Sequence, residues 1–330
     1  MRYGVTLQAV APPREFVTLV RWIEELGYDD LWVSDSSLHA GDVYVYMTLA
    51  LEATVRLRVG TAVTNPLTRH PAITANVFQS LDVLAPGRVV CGTGVGERPL
   101  HALGLERARL ETLGASITAM RRLWAGERVT GPVGRWSLRD ASLTSAPGEI
   151  PVFVSASGPR TIEFTAEYAD GVILVIDLTE KALDSALASI RRGRARSVRA
   201  SFENNCFLYG AVDDDEAAAL ARARSIVAWL ANVAPDSAGR AGIPAATVQA
   251  IRRSYRGREF QEAVEAAALV TDDIVREHAF AGTPAQAAAK LERLREHPFD
   301  AFSIAPLGPD PRPTIAAFAR IAGVSDRSSG

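Results

Sequence analysis

Arg2-Tyr3-Gly4-Val5-Thr6-Leu7, then a helical pattern from Pro13, then Asp30-Leu31-Trp32-Val33-Ser34: this opening stretch decides how the chain folds. Both apolar runs have strand length, and between them Phe16, Leu19, Val20, Ile23 and Leu26 recur at the spacing of one helix face. Gly27 follows the last periodic residue as a helix stop. A strand, a helix and a strand are complete within 34 residues.

Outward from that unit the alternation continues. Strands are expected at 57–63, 88–93, 152–155, 171–176, 205–209 and 301–305, with helices near 43–53, 72–84, 110–124, 161–168, 183–190 and 314–322. A further helix opens at Asp213-Asp214-Asp215-Glu216, whose carboxylates favour the positive helix end. Eight short strands separated mainly by amphipathic helices predict an α/β fold, a (β/α)8 TIM barrel, as one domain over 1–330. Residues 126–150 and 232–282 exceed ordinary connections and read as insertions.

The composition of the 330 residues, 48% apolar and 22% charged with net charge -2, excludes disorder, collagen and coiled coil. The basic residues form no block, so no electrostatic footprint for nucleic acid or an anionic membrane is present. No apolar run reaches the ~18 residues of a membrane span, and the N-terminus begins as a strand without a signal-peptide core. The expected compartment is the cytoplasm. Cys91 and Cys206 are far apart within apolar runs and read as buried thiols. The five histidines show no metal-ligand spacing, so no metal is expected; His70, before Pro71 at a helix entrance, reads as structural. No Gly-x-Ser-x-Gly elbow supports a hydrolase.

In a barrel of this kind active sites form at the C-terminal strand ends. Those ends carry Thr6, Asp35 and Ser36, Ala62 to Asn65, Gly94 to Glu97, and Ser155 to Arg160. Gly92-Thr93-Gly94-Val95-Gly96 fits either a tight turn or a backbone approached by a flat ligand. In Ser155-Ala156-Ser157-Gly158-Pro159-Arg160-Thr161, Pro159 suits a first helical turn, where exposed amides bind anions. Ser157, Gly158 and Thr161 could cradle a phosphate; the alternative is an ordinary Ser-capped helix start.

These strand ends resemble the luciferase-like flavin and deazaflavin oxidoreductases, and within them the coenzyme F420-dependent methylenetetrahydromethanopterin reductases. The resemblance runs nearly end to end. It is strongest over Gly60-Thr61-Ala62-Val63-Thr64-Asn65-Pro66-Leu67-Thr68-Arg69-His70-Pro71-Ala72-Ile73-Thr74-Ala75, with Leu81-Asp82 and Pro86-Gly87-Arg88 following. Asp42-Val43-Tyr44, Ser157-Gly158-Pro159, Ala169-Asp170-Gly171-Val172, Gly282-Thr283-Pro284 and Gly308-Pro309-Asp310 add to it.

The resemblance implies a barrel that binds an isoalloxazine-like ring at its mouth, with a non-proline cis peptide between Ala62 and Val63. Ala62, Val63, Thr64 and Asn65 would form the cofactor shelf, Gly94, Val95 and Gly96 the other side, and Asp35 a further contact. Ala156, Ser157, Gly158, Arg160 and Thr161 match the family's phosphate position. Two departures stand out: Thr6 occupies the place of a strand-one glutamate, and Asp35-Ser36 replaces an Asp-His pair. Glu97 retains an acid.

The implied activity is F420-dependent hydride transfer between deazaflavin C5 and an imine, enone or carbonyl other than the pterin. Threonine cannot supply a proton as a carboxyl does. Glu97 or a bound water would deliver the proton, and Ser36 and Thr6 complete the catalytic set. The same resemblance admits an FMN-dependent monooxygenase served by a separate flavin reductase, and a cofactor-binding protein without catalysis. It also implies a homodimer, for which Val77, Phe78 and Leu81 offer a face unless they are core residues.

Overall fold

The computed structural model describes residues 1–144, 149–255 and 264–324. Along them run β1 (Arg2–Gln8), β2 (Asp30–Ser34), β3 (Arg58–Thr61), β4 (Val89–Thr93), β5 (Val129–Val133), β6 (Trp136–Ala141), β7 (Val152–Ala156), β8 (Gly171–Leu174), β9 (Glu203–Val212), β10 (Phe280–Gly282) and β11 (Ala301–Pro306). β1, β2, β3, β4, β7, β8, β9 and β11 each pair in parallel with the next, and β11 returns to β1. This closes the expected (β/α)8 barrel, and its eight strands are those read from the sequence.

The helix Pro13–Glu25 shows why the alternation works. Its buried residues Phe16, Leu19, Val20 and Ile23 lie on one face against the barrel wall. Other helices repeat the device with local caps: Asp42 accepts from the Tyr44 amide at the start of Val43–Ala53, and Thr283 with Gln286 forms a capping box opening Pro284–Arg295. That last helix links the extended β9 region back to β11 and is absent from the sequence reading, as is β10.

Both long stretches carry structure of their own. Within 126–150, β5 and β6 form an antiparallel hairpin, and its Trp136 indole donates to the Pro66 carbonyl at 2.9 Å. Within 232–282, helices Pro235–Ala241, Ala245–Ser254, Val264–Ala267 and Asp272–His278 pack with helix Glu216–Val233 around a second apolar core, and β10 pairs with the end of β9. Residues 145–148 and 256–263 of these stretches, and 325–330, lie outside the described residues.

Side chains alternate inward and outward along each barrel strand. The interior is filled by Trp32, Val90, Phe153, Ile173 and Phe207, with Trp32 packed 5.6 Å from Phe153 and 5.7 Å from Phe207. Rings this large fit because glycine faces them. A Cβ at Gly60 would stand 2.6 Å from the Trp32 ring, and one at Gly171 would stand 2.5 Å from the Phe153 ring. Below this layer Asp30, with its side chain 1% exposed, accepts from Arg2 and from Arg58 at 2.8 Å, while Arg58 also reaches Glu203 at 2.7 Å. This ionic network stops the lower end of the barrel, so the opening lies at the upper one.

Phe78 and Leu81 are core residues, which corrects their use as a dimer face. Phe78 is 0% exposed and packs edge-on against Tyr44 and Trp124, while Val77 is partly buried against the same core. The outward apolar residues of that region are instead Val45, Ile73, Val83 and Leu84. Cys91 and Cys206 are free and fully buried. Among the described residues no helix is long and apolar enough to cross a membrane.

Candidate active site

The upper strand ends open into a cavity of about 1530 Å³, walled on one side by the second core. A pocket for one small ligand usually spans ~300–1,000 Å³, so this one has room for a cofactor and a substrate together.

Its floor is the chain after β3. The Ala62–Val63 peptide is cis, and both residues line the cavity. Beyond it the Thr64 amide donates to the Gly92 carbonyl at 3.0 Å, and the Gly94 amide donates to the Thr64 carbonyl at 2.9 Å. This stitching turns Thr64 beneath the floor, where its hydroxyl meets the Tyr44 phenol at 3.4 Å; it does not line the cavity. Asn65 does, although its side-chain oxygen is occupied by the amides of Leu67 and Thr68. Gly94, Val95 and Gly96 continue the floor from β4.

Asp35 and Ser36 reach the wall from β2. The Asp35 carboxylate is held by Arg69 at 3.2 Å and by the Ser37 hydroxyl at 2.7 Å, and Arg69 stacks on Tyr44 at 4.6 Å. Asp35 therefore anchors the loop. Thr6 lines the cavity from β1 with its residue 7% exposed; its hydroxyl oxygen is buried and has no hydrogen-bond partner among the described residues.

Helix Pro159–Tyr168 begins at the cavity edge. Its N-cap is Gly158 and no side chain caps it, so the Ser-capped alternative does not hold. The Ile162 amide takes the Gly158 carbonyl, which leaves the first-turn amides of Arg160 and Thr161 without helical partners. Ser157, Gly158 and Thr161 line the cavity. Ala156 is buried in β7 and the Arg160 side chain is exposed, both outside the lining.

Glu97 projects into the cavity with its side chain 38% exposed. Its carboxylate accepts from Arg107 at 2.7 Å and from the Trp229 indole. Burial raises its pKa above the ordinary carboxylate value, while the Arg107 charge and the two hydrogen bonds pull it back. Burial and the nearby Glu97 charge push the Tyr209 phenol up to about 12, and its ring centroid lies 6.4 Å from that of Trp229. Tyr209, Trp229 and Arg107 are not among the site residues expected from the sequence. Tyr209 closes the strand expected at 205–209 and was within reach of the strand-end argument; Trp229 lies inside an apolar helix and gives no local signal.

A family model described as luciferase-like monooxygenase matches residues 1–301. The 5,10-methylenetetrahydromethanopterin reductase of Methanolobus tindarius is 29% identical over 299 residues, spanning 89% of this chain and 90% of that protein. An F420-dependent glucose-6-phosphate dehydrogenase of Microbacterium testaceum is 34% identical over 204 residues, 55% of this chain and 61% of that one. Among solved structures, a coenzyme F420 dependent tetrahydromethanopterin reductase from Methanopyrus kandleri superposes with TM-score 0.83 at 23% identity, covering 97% of each chain. An F420-dependent secondary alcohol dehydrogenase in complex with an F420-acetone adduct superposes with TM-score 0.80 at 22% identity, covering 98% of this chain and 99% of that one. The two superpositions establish a shared fold.

Proposed function

The chain belongs to the luciferase-like monooxygenase family, and from that premise we propose that it is a coenzyme F420-dependent oxidoreductase acting on an imine, enone or carbonyl. One observation carries the reading: an open helix N-terminus and the Glu97 carboxyl of raised pKa face a single cavity. F420-dependent relatives support the choice of cofactor.

The residues present fit this cofactor. The amides of Arg160 and Thr161, with Ser157, suit its phosphate, because unpaired helix-terminal N–H groups favour an anion. The backbone from Ala62 to Val63 and from Gly94 to Gly96 suits a flat ring. When bound, the reduced deazaflavin supplies a hydride at its C5. Glu97 gives its proton to the other end of the reduced double bond, becomes a carboxylate paired with Arg107, and recovers a proton from solvent at the cavity mouth. Ser36 and Thr6 offer hydroxyls to polarise the substrate. Thr6 and Ser36 in place of a glutamate and a histidine argue against the pterin as substrate.

The same reading takes the chain as one domain, cytoplasmic and homodimeric. Val45, Ile73, Val83 and Leu84, exposed on the helices beside β2 to β4, support a second copy as partner. Light scattering on the purified protein tests the dimer.

The deciding experiment titrates the protein with F420 and with FMN under identical buffer, following fluorescence quenching. Tighter binding of F420 is expected. Tighter binding of FMN, with oxygen consumption when reduced FMN is supplied by a flavin reductase, would replace the reading with a monooxygenase. Tight F420 binding without turnover of any imine, enone or carbonyl would leave a cofactor-binding protein.

A further inference from the structure

We propose that the substrate taken beside Glu97 is an uncharged ring compound with one reducible C=C, C=N or C=O group, bound against a wall of Tyr209, Trp229 and Tyr255; this names the substrate class of the site above and rests on that reading. The wall comes from three separate elements. Inward alternation along β9 brings Tyr209 to the upper end of the barrel, level with Ala305 of β11. Helix Glu216–Val233 packs back over that end, so that Trp229 comes within 6.4 Å of the Tyr209 ring. Tyr255, which ends helix Ala245–Ser254, packs on the same second core and lines the same cavity. Tyr209 and Trp229 also rest on the interior cluster that includes Ala62 and Val63, so the wall rises directly from the floor.

The wall and the acid are one assembly. The Trp229 indole donates to the Glu97 carboxylate, so a substrate whose polar atom meets Glu97 has its remaining atoms against aromatic faces. Flat, apolar groups fill such a space best, since aromatic rings pair offset or edge-on. Val63, Val175 and Leu307 complete the surroundings with aliphatic surface.

Charge points the same way. Two of the arginines on the described lining are paired with carboxylates, Arg107 with Glu97 and Arg312 with Asp310 at 3.6 Å; Arg240 donates only to the neutral Ser237 hydroxyl at 3.1 Å and lies with Ser157, on the proposed phosphate side. Glu15, Glu106 and Asp236 line the cavity as well. An anionic substrate beside Glu97 would have to displace that carboxylate from Arg107, whereas a neutral one does not. In the reduction, the hydride adds to the carbon end of the double bond and the Glu97 proton to the other end. The hydride brings the electron pair of its own new C–H bond, the π pair moves to the other atom and binds the Glu97 proton, and the cofactor leaves oxidised.

The test is calorimetric binding of three probes, benzamide, acetamide and glucose 6-phosphate, to protein loaded with reduced F420, which cannot oxidise any of them. Benzamide is expected to bind at least tenfold more tightly than the other two. Tyr255→Leu should remove at least fivefold of that preference with the F420 dissociation constant within twofold of wild type, while Tyr209→Phe, which keeps its ring, should retain the preference. Acetamide binding as well as benzamide, glucose 6-phosphate binding best, or a preference untouched by Tyr255→Leu would each overturn the proposal. Failure of the cofactor reading shows separately, as absence of F420 binding. The probes are then compared on protein loaded with FMN, and the same ranking there would keep the aromatic wall while discarding F420.

Discussion

Removing Arg107 should make the enzyme faster at high pH, an outcome opposite to what loss of an active-site cation usually brings. Arg107 stabilises the Glu97 carboxylate, and the proposed proton donor is the Glu97 acid. The pair is 2.7 Å apart with side chains 50% and 38% exposed, so its worth lies near the aqueous end of the Coulomb scale, about 1 kcal/mol. That energy corresponds to about a fivefold change in the ratio of acid to carboxylate. Below the Glu97 pKa nearly every molecule is already protonated, and Arg107→Met should change little. Above it, where the protonated fraction falls tenfold per pH unit, the variant should run about fivefold faster than wild type. Glu97→Gln should abolish the alkaline decline and lower kcat by about 10² to 10⁴. The assay is anaerobic single-turnover oxidation of bound reduced cofactor from pH 5 to 9 at saturating substrate, read at each pH as the ratio of the variant rate to the wild-type rate. An Arg107→Met rate equal to that of wild type at every pH, or normal turnover in Glu97→Gln, would refute this role for the carboxyl.

Four further outcomes are expected. Gly171→Ala should cost about 1–3 kcal/mol in denaturant unfolding, because its Cβ would stand 2.5 Å from the Phe153 ring in a filled interior. Asp30→Asn should cost about 3 kcal/mol, since it leaves Arg58 in a buried setting with Glu203 alone; a cost below ~1 kcal/mol by urea titration would contradict the network's role. Thr6→Val should leave stability within about 0.5 kcal/mol, because the hydroxyl lost has no partner among the described residues, while weakening ligand binding measured by quenching. Cys91 and Cys206 should resist alkylation until the chain unfolds. Burial pushes both thiols up, Cys206 to about 12, so stability is full while an exposed thiol is protonated and declines as pH rises past ~9, where only the unfolded thiol ionises.

The barrel was readable because each strand is a short apolar run and each barrel helix is amphipathic, both local patterns. What escaped was either too short or too mixed: β10 has three residues, and β5 contains Gly131 and Pro132. Helix Pro284–Arg295 is rich in alanine, so its buried stripe of Ala287, Leu291 and Leu294 contrasts weakly with its surface. The candidate site divides along the same line. Thr6, Ser36, Ala62, Val63 and Glu97 stand at strand ends and could be named from position alone. Trp229 reaches Glu97 across 132 residues of chain, and Phe78 and Leu81 became core through Tyr44 and Trp124, pairings that only the folded chain creates.

The second core has a kinetic consequence. Alanines make up half of its described members, against the larger Leu, Ile, Val and aromatic side chains that dominate the core around the barrel. Each alanine buries less apolar area, so this unit opens at a lower free energy than the strands beneath it. Trp229 and Tyr255 belong to that unit. Entry of a ligand can therefore be gated by partial opening of helices Glu216–Val233 and Ala245–Ser254, with the barrel intact. Amide exchange in those helices should slow when the cavity fills, while exchange in β1 to β4 stays as it was.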